Sequence, residues 1–170
     1  MHWAIGIVYG LHFASIATLL VGGFGMLGQV KGVGGYDVNP NFAKRVLSRR
    51  RVIALGMWGV LGTGLLLAAA GLEMGFVAGR LGFPRQLLPG LFASYLVLMI
   101  LLIASTLHPM TAITYRIAPA ILARSGALSP EEAGGLVRRL RVNAILLIGI
   151  ILATLAAGAL RWLYASGVAL

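Results

Sequence analysis

Residues 3–27, WAIGIVYGLHFASIATLLVGGFGML, carry no formally charged side chain. A helix needs about 20 such residues to cross a bilayer. Working outward from this stretch, further apolar segments of that length run over about 52–74, 87–113 and 142–164, and the third continues toward residue 122. The pattern predicts an all-α, polytopic transmembrane four-helix bundle that forms a single domain over residues 1–170.

The composition supports a membrane protein and excludes several chemistries. The chain is 59% hydrophobic, with a mean hydropathy of +0.95, whereas about half apolar is usual for a soluble domain. It has no cysteine, so disulfides, thiolate metal sites and cysteine nucleophiles are excluded. Only four acidic residues are present, so few carboxylates are available for paired-carboxylate catalysis or a di-metal centre.

The distribution of basic residues predicts the topology. The formal net charge is +10, and the basic residues concentrate in the Gln29–Arg51 and Arg116–Arg141 regions. The region between the second and third segments holds only Arg80 and Arg85. Because cytoplasmic loops are rich in Lys and Arg, we expect both termini to be periplasmic. The expected location is a bacterial inner membrane, with the lipid bilayer rather than nucleic acid as the partner.

Two local patterns indicate how the helices begin and pair. Ser129-Pro130-Glu131-Glu132 has the form of a helix start with a capping box, so the fourth helix begins there, or a short surface helix precedes residue 142. Residues 49–54 (RRRVIA) resemble residues 139–144 (RLRVNA). This likeness suggests two repeated helical hairpins.

Small residues recur at helical spacing in the first and fourth segments. Gly6, Gly10 and Ala14 form one stripe, and Gly149, Ala153 and Ala157 form another. Such stripes allow close helix contact in lipid. They favour a bundle, whether within this chain or against another subunit.

Two histidines lie inside the apolar segments, where polar groups are functional candidates. His12 is near the middle of the first segment, and His108 lies in the third, before a helix-bending Pro109. The alternative for His12 is an interhelical hydrogen bond, and for His108 a helix bend near the interface. Two histidines on different helices suit bis-imidazole ligation of a b-type haem.

The haem interpretation does not decide which residues are the ligands. His12 and His108 are offset by roughly 10–15 Å along the membrane normal if both helices are upright. A tilted macrocycle, a shifted third helix or two separate haem sites would resolve the offset. Tyr9, Met99 and Met110 are alternative ligands. Arg116 is a candidate partner for a haem propionate or, alternatively, a positive-inside anchor.

Other functions remain open from the residues alone. Met99, His108 and Met110 offer the thioether and imidazole donors that copper(I) prefers, which would make the chain a copper-handling or transport protein. In a third interpretation the chain is a structural subunit without a cofactor, and both histidines are packing residues.

Three stretches resemble the copper-resistance protein D superfamily, which includes the haem-dependent, J-type protoporphyrinogen oxidases of bacteria. They are Leu11-His12 with Val21-Gly22-Gly23, the basic and glycine-rich run Arg49–Leu67, and residues 103–108 (IASTLH). The resemblance implies a helical membrane bundle, often with b-type haem, and His12 as the foremost ligand.

The chain also departs from that superfamily. The J-type oxidases carry a proline-arginine motif after the first helix, where this chain has residues 25–29 (GMLGQ), and a lysine in the third helix, where it has none. Copper-resistance members have more helices and a periplasmic partner. From His12 and His108 we expect a membrane-embedded protein with one or two b-type haems that transfers electrons, alone or as the membrane subunit of a redox complex with a membrane or periplasmic partner subunit. If it is an enzyme, it is a haem-dependent oxidoreductase.

Overall fold

The computed structural model describes the backbone of residues 2–33, 38–70, 101–102, 104–124 and 127–165. Within these ranges the ordered elements are helices only, and we number them α1 to α4. They are α1 (His2–Val30), α2 (Pro40–Ala70), α3 (104–124) and α4 (Pro130–Ala165). The predicted end of the second segment and the predicted start of the third, with Met99, fall within 71–100, outside the described residues.

Helix α2 begins well before the predicted apolar segment. Pro40 occupies its first position, where a missing N–H is harmless, and the backbone N–H of Phe42 donates to Oδ1 of Asn39 at 2.9 Å. This cap overrides the hydropathy boundary near Val52. The basic residues predicted to form a loop, from Lys44 to Arg51, therefore lie on a helix.

Helix α4 begins at the predicted capping box. The backbone N–H of Glu132 donates to Oγ of Ser129 at 3.3 Å, and the N–H of Ser129 donates to Oε2 of Glu132 at 3.1 Å. Arg124 also donates to Glu132, at 2.8 Å, and so joins the end of α3 to the start of α4. The helix then continues unbroken through Gly134 and Gly135.

Helix α3 changes its winding shortly after Pro109. Residues Ala112–Ile117 are π-helical, and Ala118–Arg124 returns to α-helix. The N–H of Ala118 donates to the carbonyl of Ile113, five residues back. Such π segments occur frequently at functional sites, and this one contains Thr114, the only buried polar residue among those described.

Helices α1 and α2 are antiparallel and approach very closely through glycine. An added Cβ at Gly56 would lie 2.8 Å from Cγ and 2.9 Å from the backbone N of Leu19. One at Gly22 would lie 2.7 Å from Cγ1 of Ile53, and one at Gly59 would collide with Ser15. Because these positions have no side chain, the two backbones pack almost directly against each other.

Helix α4 packs along another side of α1, also antiparallel to it. An added Cβ at Gly23 would lie 3.0 Å from Ile148, and Nη2 of Arg141 donates to the carbonyl of Val30 at 2.7 Å. Helix α3 contacts α2 and α4. The basic starts of α2 and α4 therefore lie at the same end of the bundle, beside the carboxyl end of α1.

Arginine side chains link the helices through hydrogen bonds at this end. Nε of Arg50 donates to the carbonyl of Thr114 at 2.7 Å, which links α2 to the π segment of α3. Arg141 links α4 to the last residue of α1. The side chain of Arg49 crosses over Gly25, where an added Cβ would lie 2.9 Å from its Cδ and Nε. Main-chain carbonyls thus serve as acceptors for cations in a region with few carboxylates.

The described members of the two predicted small-residue stripes do not make these close contacts, and the side chain of Ala157 lies outside the described residues. No atom of the described structure outside the local helix lies within 4 Å of an added Cβ at Gly6, Gly10 or Gly149. Ala14 and Ala153 are exposed. Close packing uses Gly22, Gly56 and Gly59 instead, because the helices are rotated to bring those glycines together.

Two of the described helices are long and apolar enough to cross a membrane. They are the Gly6–Val30 part of α1 and the Pro130–Ala156 part of α4, and only 17% and 28% of their most apolar windows are buried. The core helix of a soluble protein would be mostly buried. Helix α2 likewise exposes Leu55, Trp58 and Leu65. This outward apolar surface favours a lipid surrounding.

The close contact of α1 and α2 predicts opposite effects of alanine at two glycines of α2. Gly56→Ala should destabilise the bundle by about 1–3 kcal/mol, because Leu19 must move. Gly62→Ala meets nothing within 4 Å and should be neutral or stabilise by up to about 1 kcal/mol. Unfolding of the purified protein in detergent measures both, and equal effects of the two substitutions would contradict the packing.

Candidate cofactor site

A mainly apolar cavity of about 100 Å³ lies where the four helices meet. His12, Thr106, Met110 and Thr154 contribute its polar and sulfur atoms. The rest of the wall is aliphatic and includes Ile16, Leu19, Val60, Leu61, Leu107 and Leu155. A cavity of this size and lining accepts a small apolar group or one edge of a larger one.

His12 is held from α2 through Thr63. Its Nδ1 lies 2.8 Å from Oγ1 of Thr63, and that hydroxyl donates to the carbonyl of Gly59 at 2.6 Å. A hydroxyl has one proton, so when that proton lies on the Gly59 carbonyl, Nδ1 of His12 is the donor in the first bond. This chain of hydrogen bonds assigns the proton of a neutral ring to Nδ1 and leaves the lone pair of Nε2 free.

The other hydroxyls of the cavity wall are already engaged within their own helices. Thr106 donates to the carbonyl of Leu102 at 2.7 Å, and Thr154 donates to that of Ile150 at 2.8 Å. Among the wall residues described here, the imidazole of His12 is thus the one with a free nitrogen lone pair. This arrangement marks His12 as the principal candidate ligand.

Met110 is the second candidate donor of the cavity. It is 2% exposed and lines the same wall as His12. Its thioether is a soft donor that can bind haem iron or copper(I). On α3 it shares a helical face with Thr106 and Leu107, at positions i, i+1 and i+4.

The structure does not bring His108 to this cavity. His108 is exposed, although it belongs to the same turns of α3 as the lining residues. With about 100° between successive residues, the face that carries Thr106, Leu107 and Met110 points His108 away. His12 and His108 therefore do not line one cavity.

The other predicted site residues also lie outside the cavity wall. Tyr9 is 45% exposed. Arg116 is exposed on the π segment of α3.

Sequence reasoning missed Thr63, which the structure places as the partner of His12. A hydroxyl within an apolar segment is itself a candidate for interhelical bonding, and that signal was available. What the sequence did not contain was the register of α1 against α2, which brings Thr63 to the height of His12.

The set of possible metal-binding side chains at the site is small. Among the described ranges there is no group of three or more His, Cys, Asp or Glu side chains able to hold a metal ion. One imidazole with a free Nε2 can serve as a ligand of a haem iron, which needs only one or two ligands from the protein.

Comparison with known proteins gives no family: no family model, no curated protein and no solved structure matches this chain.

The hydrogen bond between His12 and Thr63 predicts a specific loss of stability. Thr63→Val keeps the shape of the side chain but leaves Nδ1 of His12 unpaired, which should cost about 1–3 kcal/mol. Thr18→Val is the matched control, since the Thr18 hydroxyl bonds only the carbonyl of Ala14 on its own helix. Detergent unfolding of both variants measures the difference, and equal stabilities would argue against the bond.

Proposed function

We propose that this chain is a membrane-embedded b-type haem protein that transfers electrons, alone or as the membrane subunit of a redox complex. The observation that carries the proposal is His12, whose Nδ1–H is engaged by Thr63 and whose Nε2 is free beside an apolar cavity. Haem-ligating histidines commonly have the second ring nitrogen fixed in this way by a neighbouring acceptor.

The proposed membrane arrangement is four spans, with the basic starts of α2 and α4 on the cytoplasmic side and both termini periplasmic. The antiparallel packing of α1 against α2 and α4 supports it, because all the basic helix starts then face one side. A bacterial inner membrane is the compartment that we propose.

His12 would hold the iron through Nε2, and Thr63 would keep the imidazole in the tautomer and orientation that this requires. The bound haem would supply one-electron transfer, since the chain has no other equipment for redox chemistry. The aliphatic wall would exclude water from the iron and thereby influence its reduction potential.

Met110 is the residue that we propose as the second axial ligand. It lines the cavity of His12, whereas His108 lies on the outer side of α3. A histidine and methionine pair gives a higher reduction potential than two histidines. We propose His108 as the ligand of a second haem, and Arg116 as the partner of a propionate group of that haem.

The described cavity holds only part of a haem. About 100 Å³ is less than the roughly 150 Å³ of an engineered cavity that accepts benzene. We therefore expect wall residues such as Leu61, Leu107 and Leu155 to move aside when the macrocycle is bound.

Copper handling is the second candidate function. Its support is that His12 and Met110 line one cavity, and imidazole with thioether suits copper(I). A third candidate is a structural subunit without a cofactor, in which the His12–Thr63 bond serves only to join α1 to α2.

An optical spectrum and elemental analysis of the purified protein separate these candidates. A haem protein is coloured, with a Soret band that shifts on addition of dithionite. Bound copper in a colourless protein would favour the second candidate. A colourless, copper-free protein from haem-replete cells would leave the structural role and overturn the haem proposal.

Substitution of the candidate ligands tests their roles one by one. His12→Ala should abolish the haem content, or halve it if a second haem is bound elsewhere, because Nε2 is the proposed principal ligand. Met110→Leu should retain haem but lower its reduction potential and change its spectrum. His108→Ala is the comparison variant. If His108→Ala changes the spectrum of the haem at His12 and Met110→Leu does not, the two ligands of that haem are His12 and His108.

A further inference from the structure

Apart from Arg49, which crosses over Gly25, the basic side chains in the first half of α2 and of α4 fall into two groups. Arg50 and Arg141 turn inward and donate to carbonyls of other helices. Arg124 pairs with Glu132. A second group, which we call the outer cations, is exposed and has no hydrogen-bonding or ionic partner within the described residues: Lys44, Arg45, Arg51, Arg138 and Arg139. Contacts within the described chain explain the first group, whereas they provide no partner for the outer cations.

The described part of the chain offers little to neutralise the outer cations. Its acidic side chains are Glu131 and Glu132, and Glu132 is already bonded to Arg124. The outer cations therefore produce an unbalanced positive surface.

The position of the outer cations points to their partner. On α2 the exposed apolar side chains of Leu55 and Trp58 follow Arg51 within two turns. On α4 the exposed Val142 follows Arg139 within one turn. The outer cations thus border the apolar surface of the bundle on two helices, which is the level at which lipid phosphates lie when such a surface is embedded in a bilayer.

We propose that the outer cations form a binding surface for the phosphate headgroups of anionic phospholipids of the surrounding leaflet. Arginine binds phosphate through paired N–H donors, and Lys44 adds a flexible positive charge. Their aliphatic stems lie along the helices while the charged ends reach the headgroups. The proposal requires that the bundle is embedded in a membrane, but it does not depend on haem.

The test compares two variants of the full chain in a neutral detergent. The outer variant carries Arg45→Gln, Arg51→Gln, Arg138→Gln and Arg139→Gln. The inner variant carries Arg50→Gln, which removes the bond to the Thr114 carbonyl. The unfolding temperature of each is measured with added phosphatidylglycerol, with phosphatidylcholine and with inorganic phosphate.

We expect phosphatidylglycerol, but not phosphatidylcholine or inorganic phosphate, to raise the unfolding temperature of the native chain, and salt to weaken the effect. The outer variant should lose at least half of that rise while its stability without lipid is unchanged. The inner variant should be less stable without lipid but keep the rise. Native mass spectrometry should show fewer retained phosphatidylglycerol molecules on the outer variant.

Three results would overturn the proposal: an equal rise with both lipids, a full rise in the outer variant, or the same rise with inorganic phosphate alone. If the outer variant does not fold, the pairs Arg45→Gln/Arg51→Gln and Arg138→Gln/Arg139→Gln are tested separately, and each should lose part of the rise. The optical spectrum of the same samples tests the haem proposal independently of the lipid measurements. A colourless protein that keeps the lipid effect would overturn only the haem proposal.

Discussion

The close contact between α1 and α2 is the constraint on which the rest of the structure depends. Gly22, Gly56 and Gly59 leave no space for a side chain between the two helices, so the helices can neither slide nor rotate freely against each other. This fixed register brings Thr63 to within 2.8 Å of His12. The tautomer of the candidate ligand is therefore a consequence of backbone packing one to two turns away.

The inward arginines show how charged groups are paired within these apolar helices. A charged group removed from water must have strong partners, and this chain has only four carboxylates. Arg50 and Arg141 use main-chain carbonyls instead, one in the π segment of α3 and one at the end of α1. Both acceptors are carbonyls near a helix irregularity or terminus, where the regular helical hydrogen-bond pattern is interrupted.

The candidate site is built from few polar groups. The described cavity wall combines one free imidazole nitrogen, one thioether and many aliphatic groups. Among these described wall residues there is no pair of acid and base for bond making. The outer cations are separate in place and in role, since they face the surroundings of the bundle.

The sequence by itself determined the helical class, the long apolar first and fourth helices, the capping box at Ser129 and the candidacy of His12, because composition, hydropathy and caps are local properties. It placed the start of α2 too late, because the Asn39-Pro40 cap outweighs hydropathy. Only the tertiary structure decided that Thr63 holds His12, that Met110 rather than His108 lines its cavity, and which arginines turn inward. These outcomes depend on the rotation and register of each helix, which are set by contacts between residues distant in the chain.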